Sequence, residues 1–321
     1  MTESVALQPI DREQPPWVRR ATRDAIRHFA WGIGDNNPLW IDPDYAAASP
    51  WGGPIAPPCF LYAVDETTVA RVQDNLRRIY HAVEWTFHDV IKQDAEISAQ
   101  ATLIDEEEVS NSLMQTGRLD FRDGESRLLA SAATTILRTD TPETALEERP
   151  EIRYSGEELE AMERTILGEK RQGAEPLYVE DIQTGAPLGP LIKGPLSIMD
   201  IVAWSAGTGG AVEANTEHSE GGLPNQCATG PQQVSWIGQA ITDWMGDAGF
   251  LYKLNVRLHT NPPLGSATTI TGTLREALQE NQPSVALQLA AADQNGHVSA
   301  DASAIVWLPS RRTGPVRLPA P

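Results

Sequence analysis

The sequence predicts an α+β protein made of two similar halves in tandem. Three observations lead there. Each half opens on a helical pattern and runs on into alternating stretches that read as strands, which is the order of an α+β domain. Short segments of the first half return in the second at a nearly constant spacing. Between them lies an acidic, Pro-containing stretch that breaks the pattern. The halves are taken as residues 1–140 and 176–321, with 141–175 as a linker carrying one short amphipathic helix from 155 to about 168.

In the first half, residues 21–30 put Ile26, Phe29 and Ala30 on one side at helical spacing and leave Asp24, Arg27 and His28 for solvent. Gly32 and Gly34 stop that helix. Residues 44–48 read as one more helical turn, broken by Pro50, Gly52, Gly53 and Pro54. An apolar-rich stretch over 59–75 predicts the long helix of the domain. Strands are predicted at 82–90, 95–104, 112–121 and 128–137, with Asp123-Gly124 as the hairpin turn between the last two.

The repeat aligns Ala30–Asp35 with Ala203–Thr208 at an offset of 173. Phe87-His88 aligns with Leu258-His259, Leu103 with Leu274, and Ala133-Thr134 with Ala304-Ile305, all at 171. Asp123-Gly124 is matched with Asn295-Gly296. Each match is short, and their near-constant spacing carries the inference of duplication.

Composition bounds the function. The 321 residues carry 40% hydrophobic and 21% charged side chains, a globular composition, with a formal charge of −19. That charge disfavours nucleic acid and anionic membrane surfaces, which need clustered Lys and Arg. No run approaches the ~20 apolar residues that span a bilayer, and the first residues lack a signal-type apolar core, so a cytoplasmic protein is expected. Cys59 and Cys227 are the only cysteines and the six histidines show no metal-type spacing. Both thiols are expected buried and free, and neither a metal nor a cofactor is expected.

The stretch from His28 to Phe60 holds the polar turn Asp35-Asn36-Asn37, fixed by Gly34 and Pro38. A carboxylate on such a turn is well placed for acid–base chemistry; the plainer reading of Asp35 is a cap or Asx-turn residue that ties the loop. Gly34–Leu39 with Asp42-Pro43 and Ile55–Pro58 resembles the first half of MaoC-like acyl-thioester dehydratases, or R-specific enoyl-CoA hydratases, in the FAS1-like dehydratase branch. Leu177–Asp181, Gly194–Leu196, Asp200-Ile201, Thr242–Asp247 and Leu308–Arg311 are similar to that branch's second half. The resemblance implies a double hot-dog, two tandem repeats that each wrap an antiparallel sheet around a long helix. It also implies reversible hydration of a 2-enoyl thioester, on coenzyme A or a carrier protein, through an Asp–His pair.

Asp35 matches the family Asp, but Trp40 stands in the His position, and indole exchanges no proton at neutral pH. In the second half Thr208 falls at the Asp position and Glu213 at the His position. Asp35, His218 and Glu213 are therefore the catalytic candidates, His218 because it lies on the second half's overhang. Asn37, Trp40, Cys59 and Gly230 are the substrate-binding candidates. Asn37 buttresses the turn, Trp40 lines the pocket, and the Cys59 amide and Gly230 stand at helix starts where a thioester oxygen would be met, since Pro58 has no N–H. For both His218 and Glu213 the plainer reading is a solvated residue of a polar loop. His88 and His259, matched across the repeat, are read as sheet residues. Arg71, Arg77, Arg78, Lys253 and Arg257 are either phosphate contacts for coenzyme A or ordinary surface cations.

Three functions follow. The first is a hydratase/dehydratase with an atypical site. The second is a catalytically silent acyl-binding subunit beside a hot-dog partner. The third is a repurposed pocket performing elimination, isomerisation or cyclisation on a non-thioester metabolite. Pairing of two copies is left open.

Overall fold

The computed structural model describes residues 8–9, 18–67, 77–110, 112–139, 152–209, 227–278 and 282–318. The first half runs β1 (Gln8–Pro9), α1 (Arg23–Gly32), α2 (Pro38–Ile41), α3 (Pro43–Ala47), a 3₁₀ turn (Pro58–Phe60), α4 (Leu61–Val64), β2 (Arg77–Phe87), β3 (Ile97–Val109), β4 (Ser112–Asp123) and β5 (Leu128–Thr139). After α5 (Gly156–Leu167), the second half runs β6 (Pro187–Lys193), α6 (Ile198–Thr208), α7 (Gly230–Met245), β7 (Phe250–Leu258), β8 (Thr268–Leu278), β9 (Ser284–Ala292) and β10 (Val298–Trp307).

All these strands form one antiparallel sheet in the order β1-β3-β4-β5-β2-β7-β10-β9-β8-β6. Each half contributes a meander, and the halves join where β2 lies beside β7. The pairs Ala82↔Arg257, Glu84↔Asn255 and Thr86↔Lys253 make that seam a local two-fold. Glu84 thus faces its own repeat counterpart at the expected offset of 171. Leu103 and Leu274 also correspond, each preceding a register shift in β3 and β8. α7 is the central helix: apart from Trp244 its residues are buried, including Gln232, Gln239, Thr242 and Asp243. A buried helix with this many polar side chains needs partners for them, and the candidate site lies along it.

Three expectations are corrected. The long helix over 59–75 does not form: helical backbone ends at Val64, and Asp65 turns to an extended conformation (φ −160°, ψ 122°). The Asp65 carboxylate accepts the Thr67 N–H at 2.7 Å, and Thr67 takes a positive φ of 57°. A side chain offering its own acceptor to the backbone competes with the helix, and here it wins. Residues 68–76 lie outside the described residues.

The repeat also shifts register. Gly32 lies against the backbone of Ala203 and Trp204, while Gly207 lies against that of His28 and Phe29. This reciprocal crossing of α1 and α6 pairs Gly32 with Gly207 at an offset of 175, and the left-handed Gly34 and Gly209 (φ 65° and 70°) agree. Asp35 therefore corresponds to Gly210, outside the described residues, and not to Thr208, which closes α6 with its hydroxyl donating to the Trp204 carbonyl. In the strands, Ala133 corresponds to Ser303, because the pairs Glu84↔Ala133 and Asn255↔Ser303 are related by the seam.

The hairpin turns match through Asp123 and Asp293. Each carboxylate accepts two loop N–H groups, and left-handed Ser126 and Gly296 follow. The two-residue Asp-Gly turn is thus replaced by a longer, Asp-braced loop.

A Cβ at Gly207 would stand 2.7 Å from the His28 carbonyl oxygen, which is backbone and cannot swing aside. Gly207→Ala is expected to cost about 1–3 kcal/mol in urea denaturation as the helices part. Gly53→Ala, with open space around it, is the control expected to stay within about 0.5 kcal/mol.

Candidate active site

The Asp35 turn is built by local rules. α1 ends in a Schellman motif: Asp35 N–H donates to the Ala30 carbonyl and Gly34 N–H to Trp31, with Gly34 left-handed. Asn37 then caps α2, accepting Leu39 N–H at 3.0 Å, with Pro38 at the first helical position. Asp42 and Pro43 repeat the device for α3. The chain reverses twice within a few residues, which folds Trp40 back over Asp35.

Both Asp35 oxygens are taken. Oδ1 accepts the Asn37 N–H at 2.9 Å and Oδ2 accepts the Trp40 indole N–H at 2.8 Å. The donor held there is an indole, which exchanges no proton at neutral pH. The Asp35 side chain is wholly shielded, and Trp40 is 3% exposed. Burial raises the Asp35 carboxyl above its ordinary value, opposed by the Asn37 and Trp40 hydrogen bonds and by Lys193 and Arg171.

Behind the turn, the second half supplies a charged cluster. Lys193, at the end of β6, donates to the carbonyls of Ile33 (2.7 Å) and Gly34 (3.2 Å) and to Gln239 Oε1 on α7 (2.6 Å). Gln239 returns a hydrogen bond to Gly34 O. Arg171 Nε lies 3.0 Å from Asp243 Oδ1. Burial pushes the Asp243 carboxyl up to about 8, with Asp35 and Glu169 adding to the rise and Arg171 opposing it. Burial lowers Lys193, against the pull of Asp35, Glu169 and Asp243. No histidine or glutamate hydrogen-bonds Asp35 among the described residues.

On the other side of Trp40 is a cleft of about 540 Å³, counting the part open to solvent. Trp40, Trp51, Ile55, Leu129 and Phe250 make its walls largely apolar, and Asn37, Asp89, Thr242 and Asp247 bring polar groups to it. Trp40 and Asn37, the two hydrogen-bond partners of Asp35, line this space, and Asp35 does not. Pro58 at the start of the 3₁₀ turn touches the cleft.

The other candidates fall elsewhere. Cys59 is buried against Gly238 and the Val234 carbonyl, and burial pushes its thiol up to about 12, so it is an inert thiol. Cys227 is likewise buried. Gly230 opens α7 behind the Thr229 cap, pressed against Tyr80 and Leu258. His218, Glu213 and Arg71 lie outside the described residues, as does the side chain of Arg77.

His88 and His259 stand one residue past their strands, donating their amides to Leu129 and Ser299. Arg78 pairs with Glu66, and Lys253 lies over the Tyr252 ring. Among the described residues no helix is long and apolar enough to cross a membrane, and no cluster of His, Cys, Asp and Glu could hold a metal ion.

Sequence reasoning missed Lys193, Gln239, Arg171 and Asp243. Of these only Asp243 lay in a segment, 242–247, similar to a known second half, and that similarity names no contact with Asp35.

Comparison with known proteins fits this geometry. Residues 13–126 match the FAS1-like, dehydratase domain region. A UPF0336 protein of Streptomyces avermitilis is 45% identical over 56 residues, which is 17% of this chain and 37% of that protein, so the match spans well under half of the relative's length. A MaoC-like dehydratase structure superposes with a TM-score of 0.70 at 17% identity, covering 94% of this chain and 97% of its own. A putative MaoC domain protein dehydratase from Chloroflexus aurantiacus gives 0.68 at 10% identity, covering 95% of each chain. A conserved hypothetical protein of Mycobacterium tuberculosis described as a double hotdog gives 0.65 at 12%, covering 94% and 96%. The chain therefore has a double hot-dog fold like that of the MaoC-like dehydratase structures, and its first half is similar to the FAS1-like dehydratase region.

Proposed function

We propose that the protein is a hydratase/dehydratase acting on an acyl thioester, carried by coenzyme A or a carrier protein, with the acyl part held in the cleft beside Trp40. The observation that carries this reading is the Asp35 turn, where a rigid carboxylate holds a ring N–H donor at 2.8 Å on the wall of an apolar cleft. Dehydration breaks the C2–H and C3–O bonds and forms the C2=C3 double bond. A base takes the C2 proton and an acid supplies one to the departing hydroxyl. Asp35 is the base in this reading, and its Oδ2 becomes available when the thioester displaces the Trp40 indole. His218 and Glu213 remain the candidates for the second proton carrier, Asn37 holds the turn, Trp40 walls the acyl cleft, and the amides of Cys59 and Gly230 are the candidates to meet the thioester oxygen.

The test is loss of enoyl absorbance across a panel of trans-2-enoyl-CoA thioesters. Turnover by wild type and a drop of about 10²-fold or more in Asp35→Asn are expected. No turnover at any chain length, or an Asp35→Asn protein as fast as wild type, would overturn the reading.

A silent acyl-binding subunit is the second reading, and one observation favours it: both Asp35 oxygens are occupied and the indole screens them. It expects acyl thioester to bind without turnover, with a partner hot-dog subunit co-purifying.

A further inference from the structure

Two apolar surfaces away from the cleft are left open, and their rims carry opposite charge. The first is α5. Leu159, Met162 and Ile166 fall at helical spacing on one side, yet no residue of the helix is buried, and Leu167 at its end is 79% exposed. α5 touches β6 without burying its stripe. Its rim is acidic, with Glu157, Glu158, Glu160 and Glu163 set against Arg164 alone.

The second surface lies where α1 and α6 cross. The inner side of α6 buries Ile201 and Trp204, and its outer side exposes Ile198, Met199 and Val202, with Met199 68% exposed. A helix that is apolar all round is one that its surroundings bury on every side. α1 adds Trp31, half exposed. Trp31 and Val202 each adjoin in sequence a residue of the Gly32 and Ala203 contact, so the apolar surface runs from one helix to the other.

The rim here is basic. Arg19, Arg20, Arg23 and Arg27 stand within nine residues against Asp24 alone, a local reversal of sign in a chain of charge −19. The Arg27 guanidinium lies 4.8 Å over the Trp31 ring, and Arg19 and Arg23 make no ion pair among the described residues. Asp200, the acidic residue of α6, is taken up by the Ser197 cap.

Each surface therefore suits the other and repels its own kind. They are also neighbours in one chain, because α5 touches β6 and β6 leads into α6. A two-fold axis between two chains would set each stripe on the other chain's patch, closing the assembly and burying the same contact twice. We propose that two copies of the chain dimerise in this way, each α5 lying on the α1 and α6 face of its partner. The dimer is independent of the reaction proposed above and leaves the β2 and β7 seam inside each copy.

The test is sedimentation velocity on the full chain from about 1 to 100 μM, where a dimer is expected. Met199→Glu sets a carboxylate against the acidic rim, and Leu167→Lys sets a cation against the basic one. Both positions are exposed in the single chain, so circular dichroism is expected to be unchanged while the dimer weakens by about tenfold or more. Mixing the two variants restores one contact, since the intact α5 of the first meets the intact face of the second. The mixture is expected to associate more tightly than either variant alone. A wild-type monomer at every concentration overturns the inference, and this needs no variant to fold. A dimer that both variants leave intact, or a mixture no tighter than its components, overturns it as well.

Discussion

A Trp40→His protein is expected to hydrate 2-enoyl thioesters faster than wild type by about 10²-fold, the lower end of what one general acid–base group supplies. The indole N–H already reaches Asp35 Oδ2 at 2.8 Å, so the turn is set to hold a ring donor there. Imidazole would keep a donor toward the carboxylate and add a second nitrogen that exchanges protons near neutral pH. It is also smaller, opening space that the indole now fills and letting ligand approach Asp35. That space costs stability, on the order of 2–4 kcal/mol for a large buried aromatic cut back. Trp40→Phe separates the two effects: it keeps a ring, loses the N–H, and is expected to gain no activity. Enoyl absorbance against pH reads the outcome. A folded Trp40→His protein no faster than wild type would show that Asp35 is not placed to act on a thioester.

The second large effect is on stability against pH. Burial lifts the Asp243 carboxyl from 3.8 to about 8. Between those values the folded chain holds a proton that the unfolded chain has released, so folding binds protons. The contribution is full below the unfolded value, falls as pH rises, and is lost above about 8. Its slope approaches ~1.4 kcal/mol per pH unit where the group titrates alone. Lys193 works in the opposite sense at higher pH: its lowered value means that the folded chain gives up a proton there, so its share of stability recovers as pH rises toward 10.5. Asp243→Asn is expected to flatten the decline between about pH 5 and 8 in urea melts. An unchanged slope would show that Asp243 stays ionised beside Arg171.

What the sequence disclosed follows the range of the interaction. Strand alternation and the glycine that ends α1 are local, and the strands, the turn and α1 appear close to their expected places. The predicted helix over 59–75 failed on another local effect, Asp65 capturing the Thr67 amide, which apolar spacing does not register. The offset of 173 came from matching letters, whereas the true correspondence is set by two backbones crossing at Gly32 and Gly207. At the candidate site, Asp35 and Trp40 were legible because they share one turn. Lys193, Gln239 and Asp243 were not, because they meet that turn only once the second half closes on the first.

The seam between β2 and β7 also governs which half pairs with which. Glu84 stands opposite Asn255, with Lys253 and Arg257 on the diagonals, opposite Thr86 and Ala82. Two first halves meeting along this edge would set Glu84 against Glu84. Two second halves would set Lys253 against Arg257. Either self-pairing brings like charges face to face, and the pairing across the tandem avoids both, with Glu84 diagonal in register to two cations. Each such cross-strand contact is worth only ~0.2–1 kcal/mol, but all of them point the same way. By its charges the seam suits the other half of its own chain better than a second copy of either half.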